Sequence, residues 1–565
     1  MPAFLSNAAT PLLDRSDLLR FRVAPRELAV EPGRIPRTNV DSIDALFQEA
    51  VAHHRAGRHR RAEALYRQVL AVDNRHADSL HMLGLVALQD GRNDVAVKHI
   101  EEAVRIRPTR APYYLDLGNA LWNLGDTAQA EASYRTAIRV EPTSTDAHYN
   151  LGLLLRSQRR LEEAISCYRE VVRISPDHVA AHNNMGVALK NLSRFDEAEA
   201  CFNAALRSKP DYTAALSNLG FVLMFTGRTS EAERCYREIV RREPRNPEAH
   251  LNLAYLLLLT GRLREGWDEY EWRASVAAGR GGEPVATRPR WTGGDVSARS
   301  VLIHAEQGLG DTLQFCRYVP LVARMARRVV LEVQPSLVTL LRGLEGIESV
   351  VARGDPLPAF DYQCPLLSLP RIMGTETGTI PAPARYLHAD PALAETWAKR
   401  LGSQRGMRIG LTWAGNSKLS TSETDRRRSL DPALLAPLAD LPDVHWVSLQ
   451  KRPAGEGGAT LPREMRMSDL MEEVSDFADT AAIVANLDLI ISVDTSVAHL
   501  AGALGKPIWL LNRFDTDWRW LLGRDDSPWY PSLRQFRQER PGDWTGVVER
   551  VREALVSLCS RVLAD

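Results

Sequence analysis

The first half of the chain shows apolar positions with a helical period, and the whole pattern repeats every 34 residues. Each repeat predicts two helices that pack as a hairpin. Small residues let the two helices approach closely, an aromatic fills the space between neighbouring hairpins, and a proline ends the second helix. Four kinds of residue recur at this 34-residue interval. They are glycines (Gly84, Gly118, Gly152, Gly186 and Gly220), alanines (Ala62, Ala96, Ala130, Ala164, Ala198 and Ala232), aromatics (Tyr66, Tyr134, Tyr168, Phe202, Tyr236 and Tyr270) and prolines (Pro108, Pro142, Pro176, Pro210 and Pro244).

Seven units are predicted between residues 43 and 276, and the two at the ends are degenerate. Asn74 stands where proline recurs, and Gly266 stands where alanine recurs, as expected of units that cap an array. The predicted starts are Ile43, Ala77, Ala111, Thr145, Val179, Thr213 and Pro247. This pattern resembles the tetratricopeptide repeat, which implies a right-handed superhelix with a concave, peptide-binding groove.

One polar position of the first helix also recurs, as Asn150, Asn184, Asn218 and Asn252, with Asp116 in the unit before. A row of carboxamides along the groove is suited to hydrogen bonds with the backbone of an extended peptide, whatever its sequence. The row resembles the asparagine ladder of the protein O-linked N-acetylglucosamine transferases. The alternative is that these side chains bond neighbouring helices. The in-phase histidines, His148, His182 and His250, are interpreted as packing residues.

The second half of the chain predicts an α/β fold, because short apolar runs alternate with amphipathic helices. The predicted strands are 301–305, 329–333, 408–415, 444–449, 487–492 and 507–511. Two Rossmann-like, doubly wound parallel sheets follow from this pattern, with ligand at the carboxyl ends of the strands. The predicted domains are an irregular extension (1–42), the repeats (43–276), a linker (277–298), two lobes (299–395 and 396–541) and a C-terminal helix (542–565).

The first strand is followed by a glycine-rich segment that ends in an aspartate. Gly308 and Gly310 predict a tight backbone turn beside a ligand, and Asp311 is predicted at the start of a helix that runs to about Ala326, facing the cleft. An aspartate at such a position is either a catalytic carboxylate or an ordinary helix cap.

A second strand end carries Asp494, Thr495, Ser496, Val497 and His499. The backbone N–H groups of residues 495–497 lie at a predicted helix N-terminus, which suits a diphosphate. His499 is one turn further along the same face, within reach of a ribose hydroxyl or a phosphate oxygen. An ordinary capped helix with a buried histidine is the alternative.

Together the two segments resemble the heptosyltransferase family of bacterial glycosyltransferases, which have the two-lobed GT-B fold. The family's Gly-Asp loop is matched by Gly310 and Asp311, and its Asp-Thr-x-x-x-His motif by Asp494, Thr495 and His499. The resemblance implies metal-independent transfer from a nucleotide diphosphate sugar, with Asp311 as the general base. The family's donor-phosphate lysine has no clear counterpart; Lys418 and Arg428 are the two candidates, with Arg428 favoured for its bidentate contact.

Weaker candidates for donor contact are Asn416 and Gln450, each at a strand end. The tryptophans of segment 514–530 suit either sugar stacking or a core between the lobes, and Asp515 and Asp517 resemble a metal-binding pair by chance. No metal site and no cofactor is predicted; the nucleotide sugar is a substrate.

Composition narrows the class of protein. Lys+Arg and Asp+Glu are equal at 71 each, which argues against nucleic acid or an anionic membrane as partner. Neither a signal peptide nor a transmembrane segment is predicted, and six cysteines do not form a disulfide framework, so a cytoplasmic location is expected.

The sequence therefore predicts an inverting glycosyltransferase whose repeats present the acceptor, a protein segment or, alternatively, a glycan. Two other functions remain: a scaffold without catalytic activity, and a sugar-binding protein with a degenerate transferase domain.

Overall fold

The computed structural model describes residues 37–279, 288–403, 406–415, 427–451, 462 and 465–562. The chain divides into two compact units, and the boundary lies between Cys235 and Tyr236, within one helix. Within the described residues, no helix is both long enough and apolar enough to span a bilayer.

Fourteen helices form the described part of the array, paired as seven hairpins. In chain order they are α1 (Arg37–Arg55), α2 (His59–Val72), α3 (Ala77–Gln89), α4 (Asn93–Ile106), α5 (Ala111–Leu124), α6 (Thr127–Val140), α7 (Thr145–Ser157), α8 (Leu161–Ile174), α9 (Val179–Asn191), α10 (Phe195–Ser208), α11 (Thr213–Phe225), α12 (Thr229–Arg242), α13 (Pro247–Leu259) and α14 (Leu263–Tyr270). Six hairpins begin at the predicted residues. The first begins at Arg37, six residues before Ile43, inside the region predicted to be irregular.

The recurring glycines are required by a bulky side chain of the same hairpin, which is an aromatic opposite Gly118, Gly152 and Gly186 and Ile100 opposite Gly84. A Cβ on Gly118 would lie 2.5 Å from the ring of Tyr134, and one on Gly186 would lie 2.6 Å from the ring of Phe202. The aromatic therefore fills the inside of its own hairpin, whereas the sequence analysis had placed it between hairpins. The prolines follow the ends of the second helices, as predicted.

The first sheet of the α/β part has four strands, β1 (Ser300–His304), β2 (Arg328–Val333), β3 (Ser349–Ala352) and β4 (Tyr362–Pro365), in the order β3-β2-β1-β4. All of its strand pairs are parallel. Its helices are short: α15 (Arg273–Gly279) precedes it, and α16 (Leu309–Phe315), α17 (Val319–Ala323), α18 (Val338–Leu341) and α19 (Leu369–Ile372) follow its strands.

The second sheet has six strands, also all parallel: β5 (Met407–Thr412), β6 (Val444–Ser448), β7 (Met467–Ser468), β8 (Leu489–Val493), β9 (Ile508–Asn512) and β10 (Leu533–Arg537). The order is β10-β9-β8-β5-β6-β7, so the chain reverses direction across the sheet between β5 and β8. Helix α20 (Pro391–Leu401) precedes the sheet. Helix α21 (Phe477–Ala485) comes before β8, α22 (Ser496–Ala503) comes after β8, and α23 (Trp544–Val562) comes after β10.

All six predicted strands are present, and four more were not predicted. β3 is half-buried, and β7 has only two residues. β10, with the sequence LRQFR, interrupts its apolar side chains with polar ones.

The seventh hairpin belongs to the same unit as the two sheets. The Trp267 ring lies edge-on to Phe315 of the first lobe and to Trp518 of the second, with centroid distances of 5.9 and 5.3 Å. Arg371 donates to Asp268 at 2.7 Å. The described end of the predicted linker also packs on the first sheet, where the Trp291 amide donates to Gln363 O at 2.8 Å.

Candidate functional site

The carboxyl ends of β5 and β8 are neighbours at the reversal point of the second sheet. Loops that leave a parallel sheet at such a point diverge and open a crevice, where ligands of doubly wound folds bind. Gly415 follows β5 here, and Asp494 follows β8.

Arg428 connects the two strand ends. Its guanidinium occupies the space in which Gly415 has no side chain, because a Cβ there would lie 2.7 Å from Arg428 Nε. Arg428 Nη1 donates to the carbonyl of Asp494 at 3.0 Å. The residue predicted for the donor phosphate therefore lies at the crevice, while Lys418 and Asn416 lie outside the described residues.

Helix α22 begins beside this arginine. Thr495 is its N-cap in extended conformation, and Thr495 Oγ1 lies 3.0 Å from Ser492 Oγ. The amides of Ser496 and Val497 are in the first turn, where no helical carbonyl is available to them. Thr495 and Ser496 are half-buried, whereas Asp494 and Val497 are buried, so the helix start is reached from the side of the first two.

Gln450 ties β6 to β5. Its side-chain oxygen accepts from the amides of Trp413 and Ala414, at 3.3 and 2.9 Å. The carboxamide oxygen predicted to touch the donor thus holds the strand ends together.

Asp311 is in a different setting from the one predicted. Helix α16 begins at Leu309 with Gly308 as N-cap, so Asp311 is the third helical residue. After Phe315 the helical run continues through a 3-10 turn (Cys316–Tyr318) and α17 to Ala323, close to the predicted end near Ala326. One carboxylate oxygen accepts from the Gly308 amide at 2.9 Å, and the other pairs with Arg519 Nη2. The side chain is only 5% exposed, so its carboxylate faces protein and not an open cleft.

Arg519 is the centre of a buried ionic cluster. Besides Asp311, it pairs with Asp517 at 2.8 Å and donates to Gln314 Oε1 at 2.9 Å. Two carboxylates share one guanidinium, and all four side chains are buried. The cluster joins α16 of the first lobe to the segment between β9 and β10 of the second.

The electrostatics of the cluster keep Asp311 ionised. Burial raises the pKa of the Asp311 carboxyl, but the adjacent Arg519 guanidinium acts in the opposite direction, and the pKa ends below its ordinary value. The carboxylate is therefore a weaker proton acceptor than a catalytic base near neutral pH would be.

The backbone beside Arg519 is strained. Leu521 has φ 51° and ψ 174°, a region that residues other than glycine rarely adopt. Its carbonyl accepts from Arg537 at 2.6 Å, which holds the strained turn in place.

His499 is buried and neutral. Its Nδ1 lies 2.8 Å from the Tyr530 hydroxyl, and its ring stacks on Trp520. Burial, followed by the charge of Arg519, lowers the pKa of His499 to about 3. The predicted contact to a ribose or phosphate would have to come from the opposite ring edge.

The two predicted loops meet at Gly310. A Cβ on Gly310 would lie 2.8 Å from His499 Cδ2 and 3.6 Å from Ser496 Cα. The glycine therefore allows a close approach to the α22 helix, in the place where a ligand had been expected. Gly308, with φ −71°, has no unusual conformation.

Arg317 is a second buried cation between the lobes that the sequence analysis missed. It donates to Trp529 O at 2.7 Å and to the Tyr386 hydroxyl at 2.8 Å, and it stacks on Tyr530. No spacing in the sequence indicates this pairing, because the partners are 212 and 69 residues away.

The remaining weak candidates are structural in this arrangement. Trp518, Trp520 and Trp529 are buried in aromatic contacts, which favours the core interpretation. Asp515 pairs with Arg427 at 2.8 Å. The described residues contain no group of three His, Cys, Asp or Glu side chains arranged for a metal ion.

The asparagine row of the array connects successive hairpins. Asn184 Nδ2 donates to the Tyr149 hydroxyl at 2.8 Å, and Asn218 Nδ2 donates to Asn183 Oδ1 at 3.1 Å. Asn150 Nδ2 donates to Asn119 Oδ1 at 2.9 Å. These three are buried and Asn252 is half-buried, so the bonds between helices, the alternative interpretation, are present.

Comparison with known proteins identifies the array. A model described as "Tetratricopeptide repeat" matches residues 47–111, 115–179 and 222–270, and a second model with that description matches residues 155–220. The array is built of tetratricopeptide repeats.

Two curated proteins are similar in sequence to part of the chain. Protein FlbA of Caulobacter vibrioides is 29% identical over 315 residues, which are 52% of each protein. A TPR repeat-containing protein of Pseudomonas aeruginosa is 40% identical over 76 residues, 14% of this chain and 31% of that protein. The chain thus spans about half and about a third of their lengths.

Two solved structures align with part of the chain. MamA is 26% identical, covers 28% of the chain with 94% of its own length, and has a TM-score of 0.28. PilF of Pseudomonas aeruginosa is 16% identical, covers 38% with 97% of its own length, and has a TM-score of 0.35.

The in-phase histidines are packing residues of the tetratricopeptide hairpins. His148, His182 and His250 each place Nε2 near the carbonyl of the preceding proline, at 3.0, 2.8 and 3.0 Å. A hydrogen bond at the same place in three repeats needs no metal to explain it.

Proposed function

We propose that the α/β part binds a nucleotide diphosphate sugar in the crevice between β5 and β8. The observation that carries the proposal is the position of Arg428, whose guanidinium spans the ends of both strands beside the first turn of α22. A planar cation next to free helical amides matches the charge and the geometry of a diphosphate.

The proposed reaction is inverting, metal-independent transfer of the sugar to an acceptor that the tetratricopeptide array presents, either a protein segment or a glycan. The α22 helix start would offset the negative charge that grows on the leaving diphosphate. For Asp311 to take the proton of the acceptor hydroxyl, Arg519 has to release it, because both carboxylate oxygens are engaged.

The engagement of Asp311 supports a second candidate, a tetratricopeptide protein that binds a nucleotide sugar, or only protein partners, without transfer. A buried carboxylate with a lowered pKa, held by one guanidinium, serves to join two lobes as well as it serves catalysis. The repeats support a role in protein interaction in either case.

Donor titration separates these functions. Nucleotide diphosphate sugars should raise the melting temperature of the full chain, and Arg428→Gln should weaken binding about tenfold, the effect of losing one charge-assisted hydrogen bond. The matched control is Arg324→Gln, at an exposed arginine of the first lobe. EDTA in the titration tests metal independence.

Mass spectrometry of donor and candidate acceptors then detects transfer or hydrolysis. Donor binding without either product would favour the binding protein. If no donor of a broad panel shifts the melting temperature, the nucleotide-sugar site is excluded and the scaffold remains.

A further inference from the structure

The turn of the first hairpin carries four exposed arginines, which together form the basic turn of the array. Arg55 is the last residue of α1, Arg58 is the N-cap of α2, and Arg60 and Arg61 follow in the first turn of that helix. All four side chains are exposed. Among the described residues, none forms a hydrogen bond or an ion pair with their guanidinium groups.

The carboxylates close to the basic turn are engaged by other cations. Glu63 pairs with Arg67 at 2.5 Å and with Arg92 of the second hairpin at 3.2 Å. Asp90 pairs with Arg92 at 2.9 Å and lies 3.4 Å from His59 Nδ1. The basic turn therefore keeps four positive charges that no carboxylate of the described array neutralises.

Later hairpins neutralise the same position. Arg160, Arg194 and Arg228 follow Arg58 in 34-residue steps. Each of the three pairs with a glutamate three residues later, at 2.7, 2.6 and 2.7 Å, and with a second glutamate from the hairpin before it. In the first hairpin Arg61 stands at the position of the first glutamate, and the described residues contain no earlier hairpin that could supply the second.

This arrangement is unfavourable without an anion. Arg58 and Arg61 are three positions apart along the start of a helix, where like charges repel. Arg60 and Arg61 also lie at the end of α2 where the helix dipole is positive and favours acidic residues. The first turn of α2 contains no acidic residue, whereas α8 begins with Glu162 and Glu163. An anionic surface against the basic turn would relieve both repulsions.

We propose that the basic turn binds the phosphate groups of an anionic membrane surface. A turn between two helices is convex, so its guanidinium groups reach phosphates that lie in one plane, and arginine contacts phosphate through two parallel hydrogen bonds. The equal numbers of acidic and basic residues exclude attraction by the chain as a whole, but a local cluster acts within a Debye length of a charged surface.

The charges of the later hairpins favour a membrane over a nucleic acid. A long polyanion that runs along the edge of the array would meet Asp94, Asp126 and Glu162, which lie at the turns of the next three hairpins. A flat surface that touches the first hairpin meets the arginines without these carboxylates. The inference does not depend on the nucleotide-sugar site.

The test is sedimentation of the full chain with vesicles. One set contains phosphatidylcholine alone, and the other contains phosphatidylcholine and phosphatidylglycerol in equal parts. The chain should sediment with the anionic vesicles only, and the bound fraction should fall as salt is added. Equal sedimentation with the two sets would overturn the proposal. So would displacement from the anionic vesicles by polyuridylate RNA at a lower phosphate concentration than the vesicles provide, which would assign the basic turn to nucleic acid.

Arg61→Glu gives this hairpin the charge pattern of the later ones. It changes the local charge by two units, so binding to the anionic vesicles should weaken roughly thirtyfold. The melting temperature should stay the same or rise, because the repulsion from Arg58 is replaced by attraction. Arg61→Lys keeps the charge and should retain most of the binding.

The matched control is Arg139→Glu, which makes the same change in charge at an exposed arginine of α6 and should bind like the wild type. Equal losses in Arg61→Glu and Arg139→Glu would overturn the proposal, because net charge and not the basic turn would then determine binding. The vesicle measurements contain no nucleotide sugar, so their failure would leave the donor site untouched, and the converse also holds.

Discussion

Two buried carboxylates share the single guanidinium of Arg519. The loss of stability on substitution therefore depends on whether a carboxylate or the guanidinium is removed. Replacing Asp311 by asparagine leaves Arg519 paired one-to-one with Asp517. Replacing Arg519 leaves two carboxylates buried at once, with no cation between them.

At neutral pH, Asp311→Asn should lower the free energy of unfolding by about 1–3 kcal/mol, and Arg519→Met by about 3–5 kcal/mol or more. Urea unfolding of both variants at one temperature makes the comparison. The reverse order would mean that the guanidinium is not the centre of the cluster.

The pH dependence of the Arg519→Met penalty follows from the Asp311 pKa. In the wild type the pKa of Asp311 is lower in the folded state than in the unfolded state, where it is about 3.9. The ionised carboxylate therefore stabilises the folded state above pH 3.9, and this stabilisation is lost as the pH falls through the folded-state pKa. Without Arg519, burial raises the pKa, and the folded state holds the proton more tightly. The difference in the free energy of unfolding between the wild type and Arg519→Met should therefore decrease between pH 7 and pH 4. A difference that stays constant over this range would contradict the prediction.

The protonation of His499 should also lower the stability of the folded state as the pH decreases. Its pKa of about 3 in the folded state lies below the unfolded value of about 6.5, so the unfolded chain binds a proton that the folded chain does not. Stability should fall as pH decreases below 6.5, by about 1.4 kcal/mol per pH unit for this group.

His499→Gln keeps a hydrogen-bonding group for Tyr530 but does not titrate. Its stability should decline less steeply than that of the wild type between pH 6.5 and pH 5, measured by urea unfolding at several pH values. Identical slopes would place the histidine in contact with solvent.

At the scale of elements, the sequence predicted most of what is periodic or continuously apolar. The hairpins were found because small and bulky residues that pack against each other recur in phase, as Gly118 and Tyr134 do. β8 was found because a strand buried on both faces is almost continuously apolar. β3 and β10 lack such runs. The site could be predicted only as two separate loops, because their contact through Gly310 and His499 joins residues 189 positions apart.

The asparagine row allows an element-scale test. Asn218→Ala removes a bond to Asn183 and leaves that buried carboxamide without a donor, which should cost about 1–3 kcal/mol and lower the melting temperature of the array. Asn191→Ala, at an exposed position of the neighbouring helix end, should have little effect. Equal melting temperatures for the two variants would show that the row adds nothing to stability.

At the scale of the whole molecule, the unit boundary at Tyr236 sets where the chain can be divided. Trp267 packs on Phe315 and Trp518, and Arg273, 3% exposed, pairs with Glu306 at 2.7 Å, directly after β1. A fragment that begins at residue 288 lacks Trp267 and Arg273, although it contains both sheets.

The fragment 236–565 should therefore unfold cooperatively, and the fragment 288–565 should not. Calorimetry of the two fragments tests this. Trp267→Ala in the longer fragment is an intermediate case and should lower the free energy of unfolding by about 3–5 kcal/mol. Cooperative unfolding of the shorter fragment would mean that the sheets do not depend on the last hairpin.

The buried position of Trp267 also bears on how the gene can change length. A repeat copied or deleted upstream of Tyr236 alters the reach of the array by one 34-residue step and leaves every neighbour of that tryptophan in place. The same event at the seventh hairpin would remove part of the core that both sheets share. Variation in repeat number among descendants of this gene is thus expected to accumulate on the amino-terminal side alone, with the last hairpin inherited together with the sheets.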